Sequence, residues 1–134
     1  NVPASDADDV IFGYTVANDV TARDLQARDG QWGRAKGFDS FCPIGPWIET
    51  EFDPSSGVIG AKVNGETRQL GDLDRMERTV ARLVEFASSV FTLLPGDVLL
   101  TGTPAGVGPL VAGDEVVCAI EGIGALANPV VAAP

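Results

Sequence analysis

One segment alone carries a helical apolar stripe, and that fact narrows the fold more than any other. Met76, Val80, Leu83, Val84, Ala87 and Phe91 recur at steps of 4, 3, 1, 3 and 4. This is the spacing of one face of an amphipathic helix. The pattern predicts a helix over about 74–91, opened by an Asp74/Glu77 capping box and stopped before Pro95. Elsewhere the apolar residues come in short runs divided by glycine and proline. Residues 10–20 alternate as a strand does, with Val10, Phe12, Tyr14 and Val16 on one side. Residues 21–40 read as loop with a short helical turn, and 43–51 as a loop entering a strand. Val58–Val63 and Glu66–Leu70 flank Asn64-Gly65, a strong hairpin signal. Strands are expected at 98–101 and 115–121, separated by a glycine-rich stretch over 102–113, with turns at Pro95-Gly96-Asp97 and Ala112-Gly113-Asp114. Many strands and one main helix make a β-rich α+β domain.

The 134 residues fit one domain, and a 45% hydrophobic content supplies material for a core. No run approaches the ~18 apolar residues of a membrane span. Residues 1–9 are polar and acidic, unlike a signal peptide. The net charge of −10 opposes binding to nucleic acid or to an anionic membrane. Two unclustered cysteines, Cys42 and Cys118, point to a reducing compartment such as the cytoplasm. The chain contains no histidine. Ser-His-Asp and Cys-His nucleophiles and His-ligated zinc are therefore excluded within it. Its chemistry must rest on carboxylates, Lys, Arg, hydroxyls and backbone amides, with or without a metal.

Three segments concentrate such groups. Asn18-Asp19-Val20-Thr21-Ala22-Arg23-Asp24-Leu25-Gln26 follows an apolar strand. Asp19 is a hard oxygen ligand suited to Mg²⁺, Mn²⁺ or Ca²⁺. Arg23 can pair bidentately with a substrate carboxylate or fix Asp24; a capped turn with a surface salt bridge is the plainer alternative. Lys36 lies among aromatic and small residues, where partial burial would let it stabilise an anion. An exposed lysine is the alternative. Thr101-Gly102-Thr103-Pro104-Ala105-Gly106-Val107-Gly108-Pro109 lets backbone amides approach a ligand, and Thr103 can donate to a carboxylate, yet the segment lacks the Gly-Lys-Ser/Thr of a phosphate loop; a plain β-connection is the alternative. Glu49 and Glu51 share the face of a strand, where a metal pair or an exposed strand end would fit.

Together these segments resemble the fumarylacetoacetate hydrolase family. The likeness runs from Gly13-Tyr14-Thr15-Val16-Ala17-Asn18-Asp19-Val20-Thr21-Ala22-Arg23-Asp24 through Ala35-Lys36-Gly37-Phe38-Asp39-Ser40-Phe41-Cys42-Pro43-Ile44-Gly45-Pro46. It continues with Val63-Asn64-Gly65-Glu66, Pro95-Gly96-Asp97, Thr101 to Pro109 and Ile120-Glu121-Gly122-Ile123-Gly124. In order and spacing it covers about residues 10–130. The resemblance implies a mixed, folded β-sheet core, a β-roll or pseudo-barrel, with one main flanking helix, and a homodimer. It implies Mg²⁺, with Mn²⁺ or Ca²⁺ as substitutes, and the catalytic core spanning 1–134. Asp19 matches the family's aspartate ligand, and Lys36 its active-site lysine. Arg23 and Gln26 match residues at the substrate or its support. Thr103, with Gly102, matches the threonine segment that meets the substrate carboxylate. One departure matters: the family's Glu-x-Glu ligand pair lies upstream of the aspartate motif, and none of the residues before Asp19 is Glu. Glu49 and Glu51 have that spacing in the wrong place, so the N-terminal part of the catalytic unit is expected to be missing.

The resemblance further implies a small 2-oxo or enol carboxylic acid substrate. The leading expectation is metal-dependent hydrolysis of a C–C bond in an acylpyruvate-like acid. The alternatives are isomerisation or decarboxylation of 2-hydroxy-diene-dioates in aromatic compound breakdown, and a catalytically silent module. Asp19, Lys36 and Thr103 are expected to line one pocket.

Overall fold

The computed structural model describes residues 1–132. In chain order it contains a 3-10 turn at Ala4–Asp9, β1 (Tyr14–Ala17), α1 (Arg23–Asp29), α2 (Gly33–Lys36), β2 (Ile44–Glu49), β3 (Val58–Val63) and β4 (Glu66–Asp72). A second 3-10 turn at Leu73–Arg75, α3 (Val80–Val90), β5 (Glu115–Ile120) and β6 (Gly124–Pro129) complete it. Strands β1 and β2 form one sheet, and the other runs β4-β3-β5-β6. The β-rich α+β class holds. Every strand pair is antiparallel, so the parallel pairs of a mixed sheet do not occur among the described residues. No helix among them is long and apolar enough to cross a membrane.

The hairpin forms where the turn signal lies. Asn64 and Gly65 take φ of 52° and 81°, the left-handed pair that matches strand twist. The Asn64 side chain also serves the next strand: its Oδ1 accepts from Glu115 N at 2.9 Å and its Nδ2 donates to Asp114 Oδ1 at 2.8 Å. Between Ala61↔Gln69 and Lys62↔Thr67 the register slips, which leaves Arg68 as the extra residue of a β-bulge.

Several elements differ from the sequence expectation. The strand expected over 10–20 shrinks to β1, because Val10 closes the first 3-10 turn on Ala7 O and Phe12 lies exposed. The expected loop over 21–40 folds into α1 and α2. The long helix over 74–91 divides, since Met76 is extended at ψ 133°. Thr79, not Asp74, caps α3 by accepting from Arg82 N, and Phe91 leaves it in an extended conformation. That helix packs on the N-terminal turn, where Val2 N donates to Ser88 Oγ at 2.8 Å and Ala4 N to Glu85 Oε1 at 3.1 Å. Residues 98–101 form no strand. Strand β6 was not legible, because its Gly, Ala, Asn and Pro content is poor for a strand; the tight Glu121-Gly122-Ile123 turn folds it onto β5, with Ile123 N on Ile120 O at 3.0 Å.

The buried apolar residues are few and mostly small: Ala7, Val16, Ala35, Val84, Ala87, Val116 and Ile123. Much of the apolar content counted in the sequence stays on the surface, including Trp47, Phe86, Phe91, Leu94 and Val98.

Candidate active site

Strand β1 delivers Asn18 and Asp19 to the top of the small sheet. Asn18 N donates to Pro43 O at 3.1 Å, which ties the segment to the entry of β2. Four residues after Asn18, Ala22 N donates to Ala35 O at 2.9 Å and Ala22 O receives Gln26 N at 2.9 Å. This pins the start of α1 against α2, with Ala35 fully buried between them. The corner between the helices is closed by a two-bond fork from Arg34 onto Asp29, each bond 2.7 Å. The Arg34 guanidinium holds the Asp29 carboxyl below the usual carboxylate range.

That corner fixes Lys36. Its ammonium forms an ion pair with Asp19 Oδ2 and donates to Thr21 Oγ1 at 3.3 Å. The Trp32 ring lies 5.9 Å from the Lys36 Nζ, within cation–π range. The Thr21 hydroxyl in turn donates to Asp19 O at 2.9 Å. Lys36 is neither free nor enclosed: its side chain keeps 30% of its exposure and that of Asp19 keeps 42%. Thr21 and Trp32 were not singled out from the sequence. An Asp-x-Thr spacing is the only local sign of the first, and the second is marked only as one of the aromatic residues around Lys36.

Arg23 donates through Nη1 to Gln26 Oε1 at 2.8 Å, one helical turn away, rather than fixing Asp24. Thr103 is held by a different partner. Its Oγ1 receives Gln69 Nε2 at 2.8 Å, and no hydrogen bond or ion pair among the described residues joins it to Asp19 or Lys36. Glu51 lies beyond β2, and its N–H donates to Glu49 Oε1 at 3.0 Å, so this pair closes a turn instead of sharing a strand face.

Two surface clefts lie elsewhere. One, of about 320 Å³, is lined by Ser55, Ser56, Gly57, Val58, Asp72, Asp74 and Glu121. Its three carboxylates repel an anionic substrate. The other, of about 310 Å³, lies beside Tyr14, Phe52 and Asp53. Neither includes Asp19, Lys36 or Thr103. Among the described residues no group of three or more His, Cys, Asp and Glu is placed to hold a metal ion. Asp19 offers one hard ligand, already paired with an ammonium, so these residues do not by themselves build a divalent-cation site.

The family model for the fumarylacetoacetate (FAA) hydrolase C-terminal domain matches residues 1–131. The chain belongs to the fumarylacetoacetate hydrolase family. It is similar to a 5-carboxymethyl-2-hydroxymuconate delta-isomerase from Mycobacterium smegmatis, with 56% identity and a TM-score of 0.97 over 99% of this chain and 53% of that one. It is also similar to a mitochondrial oxaloacetate tautomerase of Xenopus laevis, 45% identical over 98% of this chain and 45% of the relative. A fumarylacetoacetate hydrolase from Exiguobacterium antarcticum is 45% identical with a TM-score of 0.95, over 98% of this chain and 51% of that one. The chain spans about half the length of the curated relatives it matches. This family therefore includes hydrolases, isomerases and tautomerases built on the same fold.

Proposed function

We propose that this chain carries the enolate-handling half of an enzyme acting on a small 2-oxo or enol carboxylic acid, and that its reaction is isomerisation by proton transfer. The observation that carries the reading is the Lys36 ammonium, held by Asp19 and Thr21 and backed by Trp32. A fixed positive charge at that point stabilises the enolate oxygen as a proton leaves the neighbouring carbon. The proton, taken up by water and returned to oxygen or to a remote carbon, completes a tautomerisation or a double-bond shift with no other co-reactant. Thr103 and the Gly102 amide are placed in this reading on the substrate carboxylate, and the Arg23–Gln26 pair supports it. The neighbour named as an isomerase, at 56% identity, favours isomerisation over the hydrolysis expected first.

Mg²⁺, with Mn²⁺ or Ca²⁺ as substitutes, belongs to the proposal as a Lewis acid for the 2-oxo group. Asp19 would be one of its ligands and the others must come from beyond the described residues, so no step above runs through the ion. C–C hydrolysis is the second reading, favoured by the hydrolase neighbour at 45% identity; it adds a positioned water to the same enolate chemistry. A homodimer is part of the proposal as well, supported by the apolar surface left open.

Product analysis with Mg²⁺ on oxaloacetate enol, a 2-hydroxy-diene-dioate and an acylpyruvate separates the readings. Proton-shifted products without cleavage are expected. Lys36→Met is expected to lower the rate about 100-fold or more at unchanged thermal stability. A variant that keeps the parent rate removes Lys36 from the mechanism. Cleavage products would establish hydrolysis, and no turnover of any of the three would favour the silent module.

A further inference from the structure

The glycine-rich loop over 102–108 has no backbone–backbone hydrogen bond of its own among the described residues. It is attached instead to β4, the edge strand of the larger sheet, at three points. The first is the bulged residue: a Cβ on Gly106 would stand 2.0 Å from Arg68 O, so the loop backbone nests against the carbonyl of that residue. The second is Gln69, whose Nε2 donates to Thr103 Oγ1 at 2.8 Å and to Pro104 O at 2.6 Å. The third is Gly71, where a Cβ would stand 2.9 Å from Pro104 Cβ. A bulge re-aims the side chain beside it, and here that side chain is Gln69.

The chemistry of the two acceptors fixes the direction of each bond. Pro104 O can only accept, so the Gln69 group facing it must be the amide NH₂ and not the carbonyl. The same NH₂ faces Thr103 Oγ1, so the hydroxyl accepts there. Its own hydrogen is then free to donate away from β4.

We propose that Gln69 is a positioning residue: it holds Thr103 as an acceptor at its inner side, so that the Thr103 hydroxyl presents its hydrogen outward as a donor to the substrate carboxylate. This rests on the reading that Thr103 meets that carboxylate. It assigns a function to a bulged edge strand that plain hairpin formation does not require.

Two measurements test it. In nuclear magnetic resonance of the protein, both Gln69 side-chain amide protons are expected to exchange slowly, and Thr103→Val to release one of them. Fast exchange of both, or no change in Thr103→Val, overturns the proposal whether or not the protein turns over. In kinetics with oxaloacetate and Mg²⁺, Gln69→Glu presents an acceptor to Thr103 and turns its hydrogen inward; it also takes the donor from Pro104 O, so a modest loss of thermal stability at unchanged kcat is expected with it. KM is expected to rise about tenfold, the scale of one hydrogen bond to a charged group, with kcat within about twofold. Gln69→Glu added to Thr103→Val is expected to raise KM no further. An additive effect, or a fall in kcat and thermal stability together, would make Gln69 merely structural and overturn the proposal. If Thr103→Val leaves KM unchanged while the amide protection stands as described, the placement of the carboxylate on Thr103 fails and the Gln69 proposal fails with it. Absence of turnover in the parent protein, by contrast, counts against the functional reading alone.

Discussion

Strand β5 of the four-stranded sheet, with the turn that opens it, and the segment from Leu93 to Leu110 have similar raw material and opposite outcomes. Both are rich in branched apolar residues, and each contains a Gly-Asp turn of the same construction. Asp97 N donates to Leu94 O while Leu94 N donates to Asp97 Oδ2; Asp114 N donates to Val111 O while Val111 N donates to Asp114 Oδ2. After the second turn the chain enters β5, and after the first it forms no regular element. The difference lies in what waits beside each turn. Asn64, at the hairpin tip, bonds to Asp114 and Glu115 and seats the new strand against β3. Among the described residues Val98-Leu99-Leu100 has no such partner, and it lies exposed. A strand therefore needs an open ladder beside it as well as a suitable composition.

Gly106→Ala is the substitution that most directly breaks this contrast. It adds a Cβ against Arg68 O at a residue whose φ is 110°. Backbone strain of this kind costs about 1–3 kcal/mol before the clash is counted. The loop is then expected to leave β4, with faster amide exchange over 102–108 and the Gln69–Thr103 bond lost, while the sheet persists. Hydrogen exchange measured by mass spectrometry reads both regions at once. A Gly106→Ala protein with parent-like exchange in the loop would show that the docking onto the bulge does not hold it.

How much of this could be read from the sequence divides along the same line. Local signals were sufficient wherever the cause is local: the Asn64-Gly65 hairpin, the two Gly-Asp turns, and the apolar stripe of α3. The family resemblance and the β-rich class were legible because a long ordered series of motifs carries them. Beyond the reach of the sequence were features set by contacts between distant residues. Strand β6 exists because β5 is there to pair with it, despite its composition. The helix start moved to Thr79 because Met76 turned extended after the short 3-10 turn. In the candidate site, the Asp19–Lys36 pair joins two segments that the sequence marked separately, whereas Thr21 carries only its Asp-x-Thr spacing and Gln69 no local sign at all. The proposed common pocket with Thr103 depends on surfaces wider than any one segment.

Acid sharpens the comparison from the side of the sheet. The Val111 N–H and the Asn64 amide hold the Asp114 carboxyl below its ordinary value. Asp53 is lowered by Ser55, and Glu85 by Arg82 and the Ala4 N–H. A carboxyl with a depressed folded value binds fewer protons in the folded chain than in the unfolded chain. Its contribution is complete above the unfolded value, about 4, and is lost as pH falls through the folded one. Thermal stability is expected to be level above about pH 5 and to decline below about pH 4. Asp114→Asn should make the acid decline shallower and lower the plateau, because the charge no longer assists the bonds from Val111 and Asn64. A decline of unchanged slope in Asp114→Asn would mean that the clasp at the mouth of β5 does not sense this proton.

The smallest expected effect concerns the exposed segment itself. Leu99 is 43% exposed and its backbone joins no ladder. If nothing else covers it, Leu99→Gln falls among surface substitutions, whose effect stays within about 0.5 kcal/mol. The paired change Val116→Ala, at a buried position of β5, removes two methyl groups from the core and should cost about 1.5 kcal/mol. Denaturant unfolding of both variants at two protein concentrations decides what the apolar segment is for. Equal midpoints for Leu99→Gln and the parent at low and high concentration would mean that the segment stays solvated in the folded chain. A loss for Leu99→Gln that grows with concentration, up to the scale of Val116→Ala, would mean that a second copy buries it. That outcome would place the ladder partner missing from Val98-Leu99-Leu100 on another molecule, in line with the homodimer proposed above.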